Sequence, residues 1–330
     1  MEKYHAKSPC CRKKVYRFGK RRRQCSRCQK TWRIRKKKVG RKLKKESSQF
    51  ALRYLHHEVP SLYAKALASG LSDDKLRTRL IKSRNQLLKR MRWPILPRKK
   101  PLIALADAMV CYVDNSWYTF YFIVVKKSQQ QYATIARPYV RKGTEVWLGW
   151  HEAFKRLPLK TKAAIVALVC DGHIGLVSTA ERENWILQRC HFHLVARLQS
   201  RRSKWHLSRH GDEGRLLYAF VSNVMNNTSL DPISTSLERL HEYLQTNPSG
   251  ELRNIIMGFT KHYMDYRSYL TYPTLNLPRT NNAVESMIGS IRSFCSRARG
   301  FRTISALTAW VDAVLKSKQR ITCNGFYQPN

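Results

Sequence analysis

The sequence predicts an α/β protein: a mixed sheet covered by helices and interrupted by a helical insertion, preceded by a small cysteine-bearing basic module and a helical segment. Three observations carry this. Apolar, β-forming residues fill Leu102 to Val125. A short buried run, Ala163 to Cys170, follows a stretch of helical spacing. Residues 194 to 270 are helical in pattern almost throughout.

Residues 1–50 stand apart by charge. They hold 21 of the 63 Lys and Arg side chains and only two acids, Glu2 and Glu46. Cys25-Ser26-Arg27-Cys28 is a C-x-x-C knuckle, and Cys10 and Cys11 precede it at a spacing suited to a zinc-ribbon-like module. Adjacent Cys10 and Cys11 leave open whether both ligate Zn²⁺ or His5 replaces one. Ser8-Pro9-Cys10-Cys11 resembles a C-P-x-C knuckle whose first Cys has become Ser. The competing view is a basic arm with unpaired thiols that orders only on DNA. Either way Arg21, Arg22, Arg23, Arg33, Arg35, Lys36, Lys37 and Lys38 are expected to contact phosphates, with Trp32 stacking or packing.

Residues 51–100 read as a helical segment and linker. Leucines from Leu62 to Leu88 recur at spacings of three to five, and Ser72-Asp73-Asp74 marks a helix start, so two helices are expected around Ser69-Gly70. The pair fits a helix-turn-helix DNA reader or a plain linker. Pro94, Pro97 and Pro101 end it.

Residues 101–193 are expected to form the first part of the core. Leu102–Val113 and Trp117–Val125 flank Asp114-Asn115-Ser116, a turn, and make an antiparallel hairpin; Gln131–Ala136 adds a strand. Glu145–Leu157 has helical spacing, Ala163–Cys170 is a buried strand ending at Asp171, and Asn184–Cys190 is the next strand. That order is that of an RNase H-like core. Residues 194–279 are a helical insertion, and 280–330 carry a helix over Asn281–Arg292 with Val284, Met287, Ile288 and Ile291 on one face.

The charge sets the partner. With 63 Lys and Arg against 21 Asp and Glu, the formal charge is +42, which points to a polyanion. No apolar run approaches the roughly 20 residues that span a bilayer, so nucleic acid is expected rather than membrane. The residues Met1 to Cys11 lack the apolar stretch of a secretory signal, and the expected location is the cytoplasm, on the nucleoid. Nine cysteines scattered through such a chain are expected to stay reduced, with only the N-terminal group clustered.

Against that charge the carboxylates are few, which singles out those that can converge. Asp107 lies on the first core strand, Asp171 ends a later strand, and Glu285 projects from the helix after the insertion. Asp114 competes with Asp107, although its turn setting suits a loop. Two-metal phosphoryl transfer needs such anionic oxygens around a pair of Mg²⁺ ions. Taken singly, Asp171 could equally be a helix cap and Glu285 a solvated carboxylate.

Asp171-Gly172-His173-Ile174-Gly175-Leu176, then Gln188-Arg189-Cys190-His191-Phe192-His193 with Arg197, resemble the D-G-x-x-G-L and Q-R-C-x-x-H-x-x-x-R signatures of Mutator-type bacterial insertion-sequence transposases. Thr280-Asn281-Asn282-Ala283-Val284-Glu285-Ser286 is similar to that family's T-N-x-x-E-S stretch, with one residue more between Thr280 and Glu285. The likeness covers roughly Leu102 to Val314. It implies a DDE set of Asp107, Asp171 and Glu285, separated by 64 and 114 positions, on an RNase H-like fold with two Mg²⁺ ions. The implied partners are terminal inverted repeats and target DNA, with a homodimer or higher synaptic oligomer joining two ends.

In that light Cys190 and His193 are expected to support the catalytic sheet rather than ligate metal, with His173 and His191 as polar rim residues. Arg292, Arg297, Arg299 and Arg302 form a second basic cluster suited to holding a cleaved strand. Two other functions fit the same residues: a non-catalytic DNA-binding protein derived from a transposase, and an RNase H-type nuclease or Holliday-junction resolvase.

Overall fold

The computed structural model describes residues 7–18, 22–33, 48–56, 69–205, 211–246, 250–298 and 300–323. The chain divides into two units, Met1–Ser47 and Ser48–Asn330. The first is a three-stranded antiparallel sheet, β1 (Val15–Arg17), β2 (Arg22–Cys25) and β3 (Thr31–Arg33), in that order.

The second unit opens with helices α1 (Gln49–Leu55) and α2 (Asp73–Arg90). The first of the two helices expected around Ser69-Gly70 falls on residues 57–68, outside the described residues. α1 and α2 are built into the core: Ala51, Tyr54, Leu80 and Leu87 are buried with residues of the sheet.

Next comes a hairpin, β4 (Leu102–Val113) and β5 (Ser116–Lys127), paired along its whole length from Leu102/Lys127 to Val113/Ser116. Asp114 and Asn115 have φ of 52° and 53°, the paired positive values of a tight hairpin turn, which Asp and Asn tolerate better than most residues. Asp114 is therefore a turn residue at the far tip of the hairpin. Strands β6 (Tyr132–Ile135) and β7 (Tyr139–Lys142) both pair with β5.

Helix α3 (Trp147–Lys155), the short α4 (Leu159–Lys162), β8 (Ile165–Cys170), α5 (Ile174–Arg182) and β9 (Ile186–Arg189) follow. β8 lies parallel to both β4 and β9. With β10 (Arg320–Thr322) on the far edge, the order is β10-β6-β5-β4-β8-β9 with β7 beside β5, a seven-stranded mixed sheet. The strand expected over Asn184–Cys190 is shorter at both ends, because Asn184 is a left-handed turn residue and Cys190 already leads into a helix.

Alternation along the strands sorts two cores. Leu102, Ala104 and Ala106 of β4, with Leu168 and Cys170 of β8, pack on Trp150, Phe154 and Leu176 of α3 and α5. Ile103, Leu105 and Met109, with Ala167 and Val169, pack on the opposite side. There they meet α11 (Asn282–Arg297) and α12 (Ile304–Lys318) through Val284, Met287, Ile291, Trp310 and Leu315. The helix expected over Asn281–Arg292 thus continues to Arg297, its buried stripe prolonged by Phe294.

Between β9 and α11 lie α6 (His191–Trp205), α7 (Gly211–Asn226), α8 (Leu230–Thr246), α9 (Glu251–Lys261) and α10 (Ser268–Thr271). They have a third core, including Leu217, Val221, Leu240, Ile256 and Phe259. Among the described residues no helix is long and apolar enough to cross a membrane.

Two glycines behave oppositely when a methyl is added. A Cβ at Gly175 would lie 2.5 Å from the Trp147 Cα, so the close approach of α5 to α3 needs glycine. Gly289, exposed on α11, has nothing within 4 Å of its Cβ position. Gly175→Ala is expected to destabilise the protein by about 1–3 kcal/mol through overpacking. Gly289→Ala should stabilise it by about 0.5–1 kcal/mol through helix propensity. Thermal unfolding of both variants checks the pair of opposite signs.

Candidate active site and cysteine cluster

The parallel register of β4 and β8 sets Leu105 beside Val169, each two residues ahead of an aspartate, and the charge of Asp171 is felt at Asp107. Leu105 and Val169 belong to the core on which α11 packs. Asp107 lies within the strand, where its Oδ1 accepts from the Ala108 backbone N–H at 2.8 Å. Asp171 lies just past the end of β8, and its Oδ1 accepts from the His173 N–H at 2.9 Å. Gly172 follows with φ of +88°, a conformation suited to glycine at the turn into α5. His173 caps that helix, its Nδ1 accepting from the Gly175 N–H at 3.1 Å.

Glu285 sits in the first turn of α11, where the exposed backbone N–H groups favour an anion. The helix start is anchored by Asn281, which is fully buried. Its Nδ2 donates to the Ala106 carbonyl at 3.3 Å, and its backbone N–H donates to the Cys190 Sγ at 3.3 Å. The His191 N–H bonds the Arg279 carbonyl and the Cys190 N–H bonds the Cys170 carbonyl. These bonds hold the start of α11 against β4, β8 and β9.

Burial, more than any neighbouring charge, raises the pKa of Asp107 to about 7 and of Glu285 to about 7; the charge of Asp171 adds to both. Arg292, exposed on α11, draws Glu285 the other way. Asp107, Asp171 and Glu285 are close enough to influence one another electrostatically. Among the described residues, however, they are not a group whose ligand atoms all lie within 4.8 Å of one another. Glu285 Oε1 instead lies 3.2 Å from His193 Nδ1 and 3.9 Å from Cys190 Sγ.

A fourth acid was not singled out by sequence. Glu145, ahead of α3, accepts from Trp150 Nε1 at 2.8 Å and lies 3.6 Å from His173 Nδ1. Its pKa is raised, first by burial and then by Asp171. In the sequence it reads as the acidic start of a helix, which hides it among ordinary first-turn acids.

The Gln188–His193 stretch is a latch. Gln188, wholly buried, donates to the Tyr266 carbonyl and accepts from the Tyr269 N–H, and Arg189 pairs with Asp265 at 3.3 Å. His191 is not at a rim. It is buried, its Nε2 donates to the Tyr266 carbonyl at 2.6 Å, and burial lowers its pKa to about 4.

Of the arginines in the second basic cluster, Arg297 is partly buried. Its Nη2 donates to the Tyr54 carbonyl at 3.0 Å and its guanidinium stacks on Tyr54 and Phe294, joining α11 to α1. Arg292 and Arg302 are exposed, and Arg299 lies outside the described residues.

In the N-terminal unit the thiols of Cys10, Cys11, Cys25 and Cys28 come within 4.8 Å of one another, a set that could hold a metal such as zinc. Both members of the adjacent pair take part, and His5 lies outside the described residues. Ser8, almost fully buried, stands in the knuckle: its Oγ lies 3.2 Å from Cys25 Sγ and accepts from the Lys13 N–H. The Ser8 hydroxyl, aided by backbone N–H donors, lowers the Cys25 pKa to about 6, whereas the bond to Cys28 raises Cys11 to about 12. Strand register sets Arg22 opposite Arg33 and Arg23 opposite the partly buried Trp32. Arg21, Arg35, Lys36, Lys37 and Lys38 lie outside the described residues. No protein-family model matches the chain, and no curated protein matches it.

Asp107 and Glu285 hold protons more tightly in the folded chain than their ordinary values of 3.8 and 4.5. The stability this contributes is complete below about pH 4 and is lost as pH rises through about 7. Asp107→Asn cannot titrate. In protein freed of divalent cations, its unfolding free energy relative to wild type, measured by chemical denaturation, is therefore expected to climb between about pH 4 and 7, by at most about 1.4 kcal/mol per pH unit. A difference that stays flat over that window contradicts the burial of Asp107.

Proposed function

We propose that the larger unit is a divalent-cation-dependent phosphoryl transferase acting on DNA, with an RNase H-like core. Within that class it is a DDE transposase of the Mutator type, cutting the ends of an insertion sequence and joining them to target DNA. The observation that carries this is the mutual electrostatic reach of Asp107 in β4, Asp171 just past the end of the parallel β8, and Glu285 in the first turn of α11.

Two adjacent carboxylates with burial raising the pKa of one are a donor set that a divalent cation would relieve. Asp107, Asp171 and Glu285 would hold two Mg²⁺ ions, which supply activation of an attacking oxygen and stabilisation of the leaving one. The chain's own contribution is position and charge. Asn281 fixes the helix that carries Glu285, Gly172 turns the chain beside Asp171, and exposed Arg292 offers a cation near the scissile strand. The +42 charge supports a DNA partner, and the need to hold two element ends supports a dimer or higher oligomer.

Asp171→Ala and Glu285→Ala are each expected to reduce cleavage of DNA carrying the element's ends to background. Binding measured by mobility shift should persist. Cleavage at wild-type rate in both variants excludes this assignment.

The N-terminal unit is proposed to be a zinc-ribbon DNA-binding module. The gathering of four thiols around Ser8 and the backbone N–H from Arg27 to Cys25 Sγ at 3.4 Å support it. Cys28→Ser in the full chain should lower the bound zinc by one equivalent and weaken DNA binding. Unchanged zinc content by elemental analysis speaks against the ribbon.

A further inference from the structure

Cys190, His193 and Glu285 meet at the junction of three elements: Cys190 follows β9, His193 is in the first turn of α6, and Glu285 is in the first turn of α11. The Sγ, a ring nitrogen and a carboxylate oxygen all lie within 4.8 Å of one another. The acid's Oε1 is 3.2 Å from Nδ1 and 3.9 Å from Sγ. Around a tetrahedral zinc, with bonds of about 2.0 Å to N and O and 2.3 Å to S, such donors sit about 3.3 and 3.5 Å apart. The Nδ1–Oε1 separation already fits, and the Sγ–Oε1 separation needs about 0.4 Å of closure.

Two further features point to a cation. His193 Nδ1 is buried and makes no hydrogen bond although Glu285 Oε1 lies 3.2 Å away, and a cation between the two would take up its lone pair. Cys190 is wholly buried, which raises its pKa to about 12 in the metal-free chain, and the Asn281 backbone N–H, 3.3 Å from its sulfur, acts against that shift.

We propose that Cys190, His193 and Glu285 bind a thiophilic divalent cation, with Zn²⁺ the natural occupant, and that this binding withdraws Glu285 from Asp107 and Asp171. The regulatory half rests on the assignment of those three acids as the catalytic set; the metal site itself does not. A thiolate and an imidazole select Zn²⁺ or Co²⁺, whereas Mg²⁺ prefers an all-oxygen shell. One carboxylate is thus shared by two sites of opposite preference. Zinc at the first site removes a ligand from the second, and the remaining coordination position is open to water.

The test uses the full chain with Co²⁺ as a spectroscopic probe, comparing wild type with Cys190→Ser and, as a second variant, His193→Gln. Wild type is expected to take up one more equivalent of Co²⁺ than either variant, with one thiolate-to-cobalt contribution missing from the Cys190→Ser spectrum. Equal uptake in all three overturns the site, and this readout needs no DNA cleavage. In Mg²⁺-supported cleavage, with each protein scaled to its own zinc-free rate, added Zn²⁺ is expected to inhibit wild type. The half-inhibitory zinc concentration should rise about tenfold or more in both variants. Equal sensitivity, with cobalt uptake as expected, overturns the withdrawal of Glu285 and leaves the metal site standing. Absence of cleavage by wild type at any zinc level overturns the proposed catalytic role instead.

Discussion

The parallel pairing of β4 with β8 is the constraint on which the rest of the larger unit depends. It carries Asp107 and Asp171 into electrostatic reach of one another, and burial opposes the charge of Asp107. Two anions in such a place are unfavourable unless a cation, a proton or hydrogen-bond donors offset them. The donors present are few: one backbone N–H for Asp107 and one for Asp171. A sheet designed only for stability would carry apolar residues at these positions, as it does at Ile103, Leu105, Ala167 and Val169 one step away. The departure from that pattern is local and confined to the end of the sheet that meets α11.

The polar stretch around Gln188 acts as the joint that makes this end workable. Gln188 and Arg189 fasten β9 to the last turns of the helical insertion, and Cys190 and His191 fasten it to the chain entering α11. The insertion is therefore tied to the helix that bears Glu285 by direct bonds to its leading segment. A displacement of α7 or α10 would reach Glu285 through Arg267, which bonds the Val224 and Asn227 carbonyls, and through Gln188. The long separation in sequence between Asp171 and Glu285 is closed by this one joint.

Much of the sheet was legible because its signals are local. Asp114-Asn115 announces a hairpin turn, and the alternation of Leu102 to Met109 reports two covered faces. Asp171 lies in a stretch with a recognisable motif and Asp107 does not, and the difference has a physical origin. Gly172 and Gly175 are constrained by a positive φ and by contact with Trp147, and such demands leave a recognisable pattern. Asp107 is surrounded by ordinary strand residues that leave none. Glu145 was missed because its partners, Trp150, His173 and Asp171, come from elements whose packing no spacing rule reveals. The inward role of Arg297 was hidden for the same reason: an arginine near a helix end looks solvated until the aromatic rings of Tyr54 and Phe294 are placed against it.

Charge distinguishes the two units in a way that neither composition nor fold does alone. The N-terminal unit sets Arg22 opposite Arg33 and Arg23 opposite Trp32 in neighbouring strands. The larger unit does the reverse at one place, gathering Asp107, Asp171, Glu285 and Glu145 within mutual influence in a chain of net charge +42. A polyanion drawn to the basic surface would be repelled at that spot unless divalent cations intervened. Under the proposed function, divalent cations bound at the acidic end of the sheet would offset a field that otherwise repels a polyanion.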